Sequence, residues 1–102
     1  MAASRNAAPK LTAAQESKIF DAIAAIRPAQ AMGRGERRRF TLGLKRQRVR
    51  ERFIANAYAK FLDEGGRAGG DMAEFVKWLL AWIVDNQDTI LKLIMAIVGI
   101  FV

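Results

Sequence analysis

Apolar residues recur three and four positions apart along much of this chain, and that spacing predicts helices. In the first stretch, Ile19, Phe20, Ile23 and Ile26 share one helical face. Thr12 and Gln15 precede it at the spacing of a capping box, with Leu11 and Glu16 as a weak staple pair. Pro28 is expected to end this helix near Ile26 or Arg27, because a residue before proline avoids the helical region. A helix this short, with one apolar stripe, depends on a neighbour for stability.

Residues 28–35, rich in Pro28, Gly33 and Gly35, form a break. The second helix starts at Glu36 or at Leu44, Gly43 leaving both starts open, and runs to about Glu64. Phe53, Ile54, Ala57, Tyr58, Phe61 and Leu62 give it an apolar face, and Gly65 and Gly66 stop it. Strand signals are almost absent. The expected fold class is therefore all-α: two short amphipathic helices followed by an apolar C-terminal helix or a bent helix pair. The expected regions are a flexible leader (1–10), a basic helical region (11–64), a Gly-rich linker (65–70) and an apolar helical tail (71–102).

The tail holds two apolar runs, Phe75–Val84 and Thr89–Val102, separated by Asp85-Asn86-Gln87-Asp88. A membrane-spanning helix needs about 20 mostly apolar residues, and neither run reaches that length. In one straight helix, Glu74, Lys77, Asp85, Asp88 and Lys92 would form a polar stripe, but Asn86 and Gln87 would face the apolar side. A break, with Asp88 as the N-cap of a helix from Thr89, accounts for all four polar residues and is preferred.

Around Phe75–Val84 the apolar side chains point in nearly every direction. A helix apolar all round belongs in a large core or a membrane, and tryptophans favour membrane interfaces. Phe75, Trp78, Leu79, Trp82, Ile83, Ile90, Leu91, Ile94, Ile97 and Ile100 are therefore expected to contact a membrane or another copy of the chain. The competing expectation is a soluble bundle, in which the tail packs on the faces of Ile19–Ile26 and Phe53–Leu62.

Charge sharpens the picture. The segment from Arg34 to Arg52 holds nine Lys/Arg against Glu36 and Glu51, a net +7 that equals the charge of the whole chain. Arg37, Arg38 and Arg39 form one patch, and Lys45, Arg46, Arg48, Arg50 and Arg52 the other. On a helix, Lys45, Arg48 and Arg52 lie roughly opposite Phe53, Ala57 and Phe61, whereas Arg46 and Arg50 fall toward the apolar side and must reach outward on long stems. Arginine grips phosphate bidentately, so these residues are the candidate polyanion site, for anionic lipid or, alternatively, nucleic acid. Phe40 is the only aromatic among them, which gives little support to base stacking.

With no cysteine and no histidine, disulfides, thiolate or imidazole metal sites and the commonest general base are excluded. A Ser–Lys pair or carboxylate-bound Mg²⁺ would remain, and neither has a recognisable spacing. The expected protein is non-enzymatic, without cofactor or metal. The leading expectation is a small membrane-associating protein with its arginine segment on the cytoplasmic side, anchored by two signals. The alternatives are a soluble, cytoplasmic oligomer that binds nucleic acid, and a structural component of a larger assembly such as a virus particle. In both alternatives the tail forms a protein–protein core.

Overall fold

The computed structural model describes residues 10–67, 69 and 72–99; the leader apart from Lys10, and Ile100, lie outside the described residues. Among the described residues all regular structure is helical. The helices are α1 (Ala13–Ala24), α2 (Arg27–Gln30), α3 (Arg34–Leu44), α4 (Gln47–Asp63), α5 (Met72–Asp85) and α6 (Gln87–Val98). The chain is all-α, as expected, but the basic region holds four helices rather than two.

The capping box closes as the spacing predicts. Gln15 N–H donates to Thr12 Oγ1 at 3.0 Å and Thr12 N–H donates to Gln15 Oε1 at 2.9 Å. From this start α1 buries Ile19, Phe20 and Ile23. Pro28 acts differently from expectation: α1 already ends at Ala24, and Pro28 sits in the first turn of α2. There its missing N–H lacks an intrahelical partner in any case, and its fixed φ suits helix entry.

The single helix expected from Glu36 or Leu44 is two helices: α3 starts at Arg34 and ends at Leu44, and α4 starts at Gln47. Gly43 is buried in the last turn of α3, where a Cβ would lie 2.6 and 2.9 Å from the two methyl groups of Val98. The absence of a side chain lets α3 and α6 approach closely. At the other end of α4, Gly65 takes φ +96°. Its N–H donates to the Leu62 carbonyl at 3.1 Å, and Gly66 N–H donates to that of Phe61 at 2.8 Å. This paired C-terminal closure uses glycine where the backbone turns left-handed. Gly69 N–H then donates to the Tyr58 hydroxyl at 3.3 Å, tying the chain after α4 back to that helix.

In the tail, the chain turns at one residue. Asn86 (φ −134°, ψ 46°) separates α5 from α6 and is the N-cap position, in place of Asp88. Its backbone N–H and its side-chain amide both donate to the Trp82 carbonyl, at 3.0 and 3.1 Å. Asp88 instead lies exposed in the first turn of α6, where a carboxylate complements the helix dipole.

The turn lets both tail helices join one core. Phe75, Leu79 and Ile83 form a stripe at i, i+4 and i+8, and each is 0 % exposed, as are Ile90 and Ile94. Helix α5 packs on α1 and α4, while α6 packs on α2, α3, α4 and α5. Rings stitch α4 to α5: Tyr58 and Phe75 meet edge-on at 5.3 Å, and Phe61 and Trp78 meet at a tilt, 5.4 Å apart. Trp78 in turn stacks on Trp82 at 5.3 Å, so the flank of α5 is half-buried. Among the described residues no helix is long and apolar enough to cross a membrane.

Replacing Gly43 with alanine should lower stability by about 1–3 kcal/mol, since Val98 is β-branched and anchored in α6. Gly35 in the same helix has open space where a methyl group would stand, with nothing within 4 Å. Gly35→Ala should therefore raise stability by about 0.5 kcal/mol. Urea unfolding of the two variants, followed by circular dichroism, checks both signs.

Candidate polyanion-binding surface

Helix α3 buries Phe40, Gly43 and Leu44, which leaves the opposite side to solvent. That side carries Arg34, Arg38 and Leu42 at successive four-residue steps, with Arg37 and Thr41 beside them. Together with Met32, these residues line an open depression of about 510 Å³. Glu36 and Arg39 are exposed on α3 but do not line it.

The second cationic group follows directly. Lys45 and Arg46 occupy the turn between α3 and α4, and Arg46 is the N-cap residue of α4. Arg48 and Arg52 stand one turn apart on the exposed side of α4, across from buried Phe53 and Ala57. Thus Arg34, Arg37, Arg38, Arg39, Lys45, Arg46, Arg48 and Arg52 are all exposed. The two ion pairs among the described residues are Arg50–Glu16 and Lys60–Glu64, and neither uses any of these side chains. Glu51, the nearest acid in sequence to Arg52, accepts instead from the Gln47 amide at 3.4 Å.

Arg50 separates from its expected companions. Its Nε–H donates to the Leu44 carbonyl at 2.6 Å, covering the C-terminal end of α3. Its terminal nitrogen reaches Glu16 of α1 at 3.4 Å, and its guanidinium carbon lies 4.8 Å from the Phe20 ring centre. A cation over a ring face and beside a helix C-terminus is favourably placed. Arg50 therefore joins three helices, and two of its nitrogens are engaged by groups of the fold.

Of the apolar candidates among the described residues, five are buried and four are partly buried. Phe75, Leu79, Ile83, Ile90 and Ile94 face the chain's own core, where the two tail helices pack on α1–α4 and on each other. Trp78, Trp82, Leu91 and Ile97 are partly buried against that core. The tail helices break at Asn86, and the four preceding helices pack against them. Among the described residues, the large hydrophobic side chains left exposed are Leu42 and Val84.

Several contributors are not evident from the sequence. Arg34, Met32 and Leu42 join the groove because α3 begins at Arg34, a start hidden by the flanking glycines. The one signal for Arg34 and Leu42 is the Arg34–Arg38–Leu42 spacing, and Met32 has none. Gln87 accepts from the Arg27 N–H at 2.9 Å, capping α2 from sixty positions away. No local pattern announces such a contact.

Among the described residues no group of three His, Cys, Asp or Glu gathers as a metal site. No family model, curated protein or solved structure matches the chain.

The two kinds of arginine should respond differently to substitution. Arg50→Met is expected to cost about 1–2 kcal/mol of stability, through the lost charge-assisted hydrogen bond and ring contact. Arg48→Gln should leave stability within about 0.5 kcal/mol. Paired thermal and urea melts check the contrast.

Proposed function

We propose that this protein is a non-enzymatic helical module that binds phosphate-bearing polyanions through the exposed cations of α3, α4 and the turn between them. One observation carries the reading: eight exposed basic side chains lie close together in sequence, without a carboxylate partner among the described ion pairs. Like charges held this way repel one another. A polyanion relieves that repulsion and releases its own counterions, so association is driven by charge and weakened by salt. The dominance of arginine suits bidentate contact with phosphate oxygens.

Phe40, the one aromatic within the block, is 1 % exposed and offers no stacking platform. Contact is thus with phosphate, without readout of bases. Anionic lipid and nucleic acid share that phosphate chemistry. In either case the tail's apolar faces build the module and the arginines engage the ligand. Association with a membrane is then peripheral, at the level of the head groups, without insertion of 72–99.

The test is binding to a labelled mixed-sequence oligonucleotide and to anionic vesicles across a salt series. Affinity should fall steeply with salt, and replacing Arg37, Arg38, Arg48 and Arg52 with glutamine should weaken binding and flatten the salt dependence. For duplex DNA the slope should change by about 0.9 per phosphate contact removed. All four residues are exposed, so the fold should survive their replacement. Failure of both probes to bind at low salt would sink the proposal.

A further inference from the structure

We infer that the polyanion is an anionic phospholipid surface, docked through the groove between Met32 and Leu42 on α3. The inference rests on the polyanion reading above and decides between its two sources of phosphate. The deciding observation is that the groove is not purely cationic. Leu42 is 49 % exposed and lies one turn beyond Arg38 on the same helix side, with Met32 also lining the depression. Arg34, Arg37 and Arg38 share that lining, and Thr41 adds a hydroxyl.

A nucleic-acid backbone presents charged phosphates and polar sugars, which offer Leu42 and Met32 far less apolar surface than acyl chains do. A bilayer surface offers both environments at the required depths. Phosphates lie at the head-group level, and acyl chains begin immediately beneath. Long arginine stems let the guanidinium groups remain at the phosphates while the shorter leucine reaches the acyl boundary. An arrangement of cations around an exposed apolar side chain provides the paired electrostatic and hydrophobic signals of peripheral membrane binding. Among the described residues no carboxylate lines the groove, so none of them opposes an anionic surface there. The cytoplasmic leaflet, with its negative surface potential, is the matching face.

Sedimentation of the full chain with vesicles tests this, comparing phosphatidylcholine alone with phosphatidylcholine containing phosphatidylserine. The same preparations are tested with a labelled oligonucleotide. Binding is expected on the serine-containing vesicles only. Leu42→Ser should weaken it by about five- to tenfold, as loss of a partly inserted leucine implies. Joint replacement of Arg34, Arg37 and Arg38 with glutamine should weaken it more than Leu42→Ser does. Val84→Ser, which removes an exposed hydrophobic side chain outside the groove, should leave it unchanged. Oligonucleotide binding without vesicle binding would overturn the lipid assignment while leaving the polyanion function standing. Vesicle binding indifferent to Leu42→Ser would overturn the groove, and binding to neither probe would remove both proposals.

Discussion

The burial of Ile90 and Ile94 constrains everything else in this fold. They belong to α6, a helix of 12 residues that is too short to be stable alone in water. Its stability must come from cover, which α2, α3, α4 and α5 supply. Several of those contacts have their own local condition. Gly43 lets α3 come close, Gln87 ties the start of α6 to α2, and Asn86 turns the chain back after α5. A straight continuation of α5 would carry Ile94 about 16 Å along the axis from Ile83. The turn at Asn86 is therefore what allows one core instead of two exposed stripes.

The same constraint sorts the arginines. Arg50 lies on the side of α4 that meets α1 and α3, and its guanidinium replaces water with the Leu44 carbonyl, Glu16 and the Phe20 ring. The neighbouring Arg48 and Arg52 face solvent, and neither enters the described ion pairs. Two positions along a helix thus separate a structural cation from an exposed one. The contrast follows from the helical period: a residue two places on lies about 200° around the axis. The surface charge therefore depends on core packing, because rotation of α4 would exchange these roles.

Much of the local structure is legible before any packing is considered. Thr12 and Gln15 announce the start of α1, since both partners of a capping box lie within one turn. Gly65 and Gly66 announce the end of α4, because the required backbone turn suits glycine. The helical class follows from the spacing of apolar residues. The cationic block is visible from composition, although its division into a groove on α3 and a pair on α4 is not. That division requires the start of α3 at Arg34, which Gly33 and Gly35 obscure. The shift from Asp88 to Asn86 has a similar cause, since several polar residues in a row all make acceptable boundaries until the helices on either side are packed.

The chain by itself determined that it would be helical, that its charge would gather between Arg34 and Arg52, and that its tail would need cover. These properties follow from the order and chemistry of neighbouring residues. Only the tertiary structure decided what covers the tail and which cations remain exposed. A stripe such as Phe75–Leu79–Ile83 records a demand for apolar contact, but lipid, another copy or the chain's own helices all satisfy that demand equally well in sequence terms. The choice depends on contacts between residues far apart along the chain, such as Gly43 with Val98 and Arg27 with Gln87. Those contacts exist only once the helices have assembled.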